Sequence, residues 1–224
     1  MAGGKTLELK SRPAGRPSAE AAGRLEEELM DAALAVFIAA GYAGASMEAI
    51  ARKAGVTKRT LYLRAGSKAA LFVAVVERLA GRAGVPSLAE IVGKSLEVKL
   101  KRASDIMLAW VLDPNALALY RMIVADAAHH PGLALTVDAP FQRAADAIAA
   151  LLAEHDDRSA ETLRLGAGMF LRLVTGEPLD RAAQGIESEG ASPEKRARAH
   201  QAVDFFLAGW RGWRAGADAE PAAD

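Results

Sequence analysis

A chain of 224 residues that is 51% hydrophobic can bury a substantial core, which excludes a wholly disordered protein. It contains no cysteine, so disulfide frameworks and thiolate metal sites are excluded, and 28 Lys+Arg balance 28 Asp+Glu to a formal net charge of +0. Aromatics make up only 5%, β-branched runs are scarce and alanine and leucine abound, so the expected fold class is all-α.

Residues 1–17 mix charge, glycine and proline without an apolar period and read as a flexible basic arm. Lys5, Glu8, Lys10 and Arg12 stand where a signal peptide needs an apolar core. No segment approaches the ~18 uncharged residues of a membrane span, so a cytoplasmic protein without a membrane partner is expected.

Helical periodicity begins after Ser18 and runs through Leu25, Leu29, Ala33, Val36, Phe37 and Ala40 to a stop at Gly41. Ser46 caps a second helix from Met47 to Ala54, with Met47, Ile50 and Ala51 inward; Gly55 ends it. Val56 then reads as a buried plug, and Thr57 caps a third helix from Lys58 to about Arg64. Two short helices so closely linked form a helix-turn-helix.

A fourth helix begins at Ser67 and carries Leu71, Phe72, Val75, Val76 and Leu79 to the break at Gly81–Pro86, the expected domain boundary. Amphipathic segments follow at about 88–111, 114–129, 140–154, 160–175 and 193–214, giving about nine helices in all. The expected organisation is an arm over 1–17, a helix-turn-helix unit over 18–84, a ligand-binding and dimerisation unit over 85–214, and a disordered tail over 215–224.

Charge is distributed unevenly. Between Glu48 and Lys68 the cations are Arg52, Lys53, Lys58, Arg59, Arg64 and Lys68, against Glu48 alone. Such a patch is an electrostatic footprint for a polyanion. The stretch Gly55 to Lys68 presents Lys58, Arg59, Tyr62 and Arg64 from one short helix, a shape that enters a DNA major groove and reaches guanine O6 and N7. Lys68, in the first turn of its helix, opposes the macrodipole, and an external DNA phosphate bound there would account for it.

The run GYAGASMEAIARKAGVTKRTLYLRAGSKAALF closely resembles the DNA-binding region of TetR-family regulators, over residues 18–79. The resemblance rests on Gly41-Tyr42, Ser46-Met47, Gly55-Val56, Thr57, Thr60-Leu61-Tyr62 and Lys68. It implies that Lys58 and Arg59 approach base edges while Ser46, Thr60, Tyr62 and Lys68 hold phosphates; Thr57 and Arg64 complete the set of candidate contacts. Ala65 departs from the pattern, since the family has a large apolar residue there, and Leu63 and Arg64 replace its common His or Tyr. Arg12 and Arg16 in the arm resemble a minor-groove hook, although a solvated tail reads the same way.

Residues 114–155 resemble, more weakly, the ligand-binding half of some TetR regulators. That implies a pocket among the middle helices for an unidentified small molecule, with Met107, Trp110, Tyr120, Ile123, Asp126, Phe141, Met169 and Phe170 as candidates; simple core filling is the alternative for each. Asp126 and His130, four apart, have metal-ligand spacing, but a histidine at a helix end also suits the dipole, so no metal is expected. Val203, Phe206, Leu207, Trp210 and Trp213 form a stripe on the last helix which, with Leu163, Met169, Phe170 and Leu173, suggests a homodimer interface; burial within its own subunit is the alternative.

Phosphate-binding loops, nucleophile elbows, zinc-protease helices and dinucleotide fingerprints are all missing from the sequence, so neither enzymatic activity nor a cofactor is expected. A helical adaptor using its helix-turn-helix for protein contact is the remaining rival. The favoured reading is a dimeric regulator, a repressor released from a palindromic double-stranded DNA operator by a small molecule.

Overall fold

The computed structural model describes residues 19–127 and 129–213. Among these there is no strand, and nine α-helices follow in order: α1 (Ala19–Gly44), α2 (Met47–Lys53), α3 (Lys58–Ala65), α4 (Lys68–Arg82), α5 (Leu96–Val111), α6 (Pro114–Asp126), α7 (Pro131–Ala153), α8 (Ala160–Ala183) and α9 (Pro193–Gly212). A single 3-10 segment over Val85–Glu90 links α4 to α5. The all-α expectation and its helix number hold. The arm with Arg12 and Arg16, Ser18, and the tail over 215–224 lie outside the described residues.

Local chemistry sets most helix starts. Ser46, Thr57, Ser67, Ser95, Ser159 and Ser192 each accept a hydrogen bond from the backbone N–H three residues on, and the Asp113 carboxylate takes those of Asn115 and Ala116. Gly41, at φ 70° and ψ 170°, breaks α1 and turns the chain into one further helical turn.

Proline misleads the sequence reading twice. The apolar spacing predicts a seventh helix from Pro140 and an eighth that stops before Pro178, yet α7 starts at Pro131 and α8 runs on to Ala183. An interior proline costs a helix about 3 kcal/mol, but Pro178 is itself buried, and continuing α8 also buries Leu179 and Ala182. Burial of Leu179 contributes about 1.5–3 kcal/mol, and with the smaller contributions of Pro178 and Ala182 it offsets the lost hydrogen bond.

Two apolar clusters result. The first joins α1–α4 around Leu29, Phe37, Ile50, Leu61, Leu71 and Phe72, and it also takes Leu119, Met122 and Ile123 from α6 and Leu133 from α7. The second, from Ala80 onward, gathers α5–α9 around Met107, Leu108, Ile148, Phe170 and Val203. Helix α6 therefore belongs to both cores.

Candidate nucleic-acid interface and ligand cavity

Helix α3 is anchored by one residue. Leu61 is fully buried, Ala65 only partly so, and Leu63 is 78% exposed, so the small side chain at Ala65 leaves Leu61 as the main plug. Val56, expected to be buried, is half-buried at the edge of the same cluster. Gly55 at φ +66° makes the turn between α2 and α3, a backbone state that favours glycine.

The outward side of this unit carries Ser46, Thr57, Lys58, Arg59, Tyr62 and Arg64, all exposed, with Thr60 half-buried beside Thr57. The Thr57 and Thr60 hydroxyls hydrogen-bond at 2.9 Å, which fixes the first turn of α3. Contacts from elsewhere in the chain thin the cationic patch. Lys58 pairs with Glu48, which lowers that carboxyl below its ordinary range and raises the ammonium, each chiefly through the shared hydrogen bond. Arg64 meets Glu26 of α1 at 3.2 Å. Arg52, Lys53 and Arg59 are exposed and, among the described residues, make no side-chain hydrogen bond or ion pair.

Lys68 receives a different explanation from the one its sequence position suggested. Its ammonium donates to the carbonyls of Tyr42 at 2.8 Å and Ala45 at 3.0 Å, with Ala43 at 3.5 Å, and lies 4.5 Å from the centroid of the Tyr42 ring. The group thus caps the end of α1, the negative end of that helix dipole, and no external anion is needed to account for it.

Asp126 joins the same knot rather than a pocket. Its carboxylate accepts the Tyr42 N–H at 3.1 Å, and the His130 ring packs edge-on against Tyr42 with centroids 5.5 Å apart. Among the described residues no group of three or more His, Cys, Asp or Glu is placed to hold a metal ion.

A cavity of about 340 Å³ lies among α4, α5, α6, α7 and α8. Its apolar walls include Val76 and Leu79 of α4, Trp110 of α5, Leu119 and Tyr120 of α6 and Phe141 of α7. The polar lining comes mainly from Asp138 and Gln142 of α7 and Arg164, Arg172, Thr175 and Asp180 of α8, with Gly168 and Gly176 between them. Of the residues proposed from sequence, Trp110, Tyr120 and Phe141 line this space. Met107 and Phe170 are sealed in the core, Ile123 packs in the first cluster, Asp126 holds Tyr42, and Met169 is 48% exposed on the outer side of α8. The polar α8 residues were missed; of the glycines in that helix, Gly166 marks where Trp210 comes close, whereas Gly168 and Gly176 border open space in the cavity wall.

The stripe proposed for dimerisation is largely internal. Leu163, Val203, Phe206, Leu207 and Trp210 are buried in the second cluster, and Trp213 packs against it. Phe206 packs on Phe170 and Trp210, which fills the space expected for a partner. Leu173 remains exposed, together with Leu165 and Met169 on α8 and Phe205, 73% exposed, on α9.

A capped helix-turn-helix with an outward short helix, joined by a shared core to a helical unit that holds a cavity, is the architecture of a DNA-binding regulator. The profile of bacterial regulatory proteins of the TetR family matches residues 29–75, and that of the AefR-like transcriptional repressor C-terminal domain matches residues 98–211. The chain belongs to the TetR family of transcriptional regulators, with an N-terminal DNA-binding domain and a C-terminal ligand-binding domain.

Among solved structures, a TetR-family regulator from Mesorhizobium loti is 28% identical with a TM-score of 0.64, over 83% of this chain and 96% of that one. The flavonoid-responsive regulator FrrA is 25% identical with a TM-score of 0.62, over 84% and 97%. FadR from Bacillus subtilis, solved with stearoyl-CoA, shares the fold at 14% identity and a TM-score of 0.62, over 82% and 98%. No curated protein matches the chain. No single described helix is long and apolar enough to cross a membrane.

Proposed function

We propose that the chain is a cytoplasmic, homodimeric repressor that holds a palindromic operator and releases it when a small molecule occupies the cavity, without chemically changing that molecule. The reading unit spans 18–84 and the ligand and dimer unit 85–214. The observation that carries this reading is Arg59, exposed in the first turn of α3 with no partner to displace among the described residues. A guanidinium so placed suits bidentate contact to guanine. Ser46, Thr57, Thr60 and Tyr62 present hydroxyls for phosphate contacts that set register. Arg52, Lys53 and Arg64 add positive charge, and Arg12 and Arg16 would follow the minor groove.

Exposed Leu165, Met169 and Leu173 on α8, with Phe205 on α9, support a second copy of the chain packing on this helix pair. A two-fold protein suits a two-fold operator. Helix α6 supports the coupling: it lines the cavity at Ala116, Leu119 and Tyr120 and ends at Asp126, which holds the Tyr42 N–H. A ligand that binds one position of α6 better than another shifts the population of reading-competent dimers by that difference alone.

The test is duplex binding by Arg59→Ala on an operator selected with the parent protein. Affinity falls by about 1–3 kcal/mol and base preference relaxes at one position per half-site. Unchanged preference contradicts the assignment of Arg59. Glu48→Gln provides an opposite check, because it frees Lys58. Non-specific affinity rises and the log–log salt slope steepens by up to about 0.9 per subunit bound; a salt titration by fluorescence anisotropy reads both.

A further inference from the structure

Resting on the reading of the cavity as the inducer site, we infer that its ligand is a flat aromatic acid, with the ring system against Trp110, Tyr120 and Phe141 and the acid group on Arg172. The walls favour a ring over a chain. Trp110 and Phe141 meet with centroids 4.7 Å apart and planes tilted by 44°, and Tyr120 of α6 lines the same space. Aromatic clusters of this kind accept a further ring in offset or edge-on geometry.

The opposite wall is unusually bare. Gly168 and Gly176 of α8 both line the cavity, and a Cβ added at either would meet nothing within 4 Å. Eight residues apart on one helix, they lie about 12 Å from each other. They leave stretches of exposed backbone on which a planar molecule can rest. The volume of about 340 Å³, partly open to solvent, sits at the small end of drug-sized sites and accommodates a bicyclic skeleton.

The polar groups select the charge. Arg164 is already paired with Asp146 and donates to Gln142 Oε1 at 2.8 Å. Asp138 accepts from Gln142 Nε2 at 3.0 Å. Arg172, one helical step of eight residues from Arg164, has no hydrogen bond or ion pair among the described residues. Arg172 is exposed where it lines the cavity, and its planar fork matches a carboxylate in bidentate geometry. Asp180 also lines the space, eight residues further along α8, and repels an anion from that end, which orients the acid group toward Arg172. Tyr120 lines the same space, and its hydroxyl can serve a polar ring substituent.

Calorimetric titration of the full chain with 2-naphthoate, 2-naphthol and decanoate tests this. Naphthoate binds at least about tenfold more tightly than decanoate, and Arg172→Gln weakens naphthoate by about tenfold or more while changing naphthol by less than about twofold. Gly168→Leu weakens both aromatic probes, and its circular dichroism melt shows whether it remains folded. Decanoate binding as well as naphthoate, an Arg172→Gln variant that treats naphthoate and naphthol alike, or no heat with any aromatic probe overturns the inference. Duplex binding is measured separately without probe: its failure contradicts the repressor reading and leaves the ligand assignment standing, whereas intact duplex binding with failed titrations rejects the ligand class alone.

Discussion

Lys68→Met lowers the urea midpoint of the protein while leaving the salt slope of duplex binding close to that of the parent. Methionine keeps an apolar stem across the Tyr42 ring and removes only the ammonium. What is lost are hydrogen bonds to the Tyr42 and Ala45 carbonyls, with the longer approach to Ala43, at the end of α1. Hydrogen bonds to a charged group contribute about 1.5–3 kcal/mol, and the orphaned acceptors are half-buried. Against this stands a small gain, because a cation in the first turn of α4 opposes that helix dipole by about 0.3–1 kcal/mol. The loss wins by roughly 1–2 kcal/mol. Were Lys68 chiefly a phosphate contact, the outcome would be reversed: stability near the parent's, and a slope shallower by about 0.9.

Gly166→Ala is the more damaging substitution. A methyl group at Gly166 would overlap the Cζ3 and Cη2 atoms of Trp210 and stand 3.1 Å from its Cε3. Trp210 cannot easily retreat, since Phe206 stacks on it with centroids 5.6 Å apart, Trp213 packs at 5.4 Å, and the Arg158 guanidinium lies 4.2 Å from its ring centroid while donating to its backbone carbonyl at 2.8 Å. Alanine gains about 1 kcal/mol of helix propensity over glycine, but overpacking a filled core costs about 1–3 kcal/mol, more where several large rings must move together. Thermal melting therefore shows net destabilisation. Gly168→Ala on the same helix, where the added methyl meets open space, raises the melting temperature instead. Equal shifts in the two variants contradict the packing of α8 on α9.

Sequence signals reached as far as local physics carries. Ser46, Thr57 and Ser67 each cap the helix expected of them, because capping involves groups three residues apart. Gly55 makes its turn for an equally local reason. Lys68 was legible as an anomaly but not as a cap, since its acceptors lie 23 to 26 residues earlier in the chain. The six cations around α3 were countable, yet Glu26, which neutralises Arg64 from α1, lies 38 residues away. Periodicity marked Val203, Phe206, Leu207 and Trp210 as one apolar stripe. It says which side of a helix avoids water and not which molecule covers it, and here Phe170 and the glycine gap at Gly166 do so from within. In the cavity the same limit applies at finer scale. Trp110 lines the cavity wall and Met107, three residues earlier, is sealed behind it.

Whether α3 lies in a DNA groove is tested directly by one measurement. Random duplexes are passed over the protein at low salt, and the retained sequences are read. An inverted repeat is predicted, with half-site centres about one helical turn, 34–36 Å, apart or a multiple of it, and retention that weakens steeply as salt rises. No enrichment, or retention indifferent to salt, would contradict the assignment of this helix to DNA.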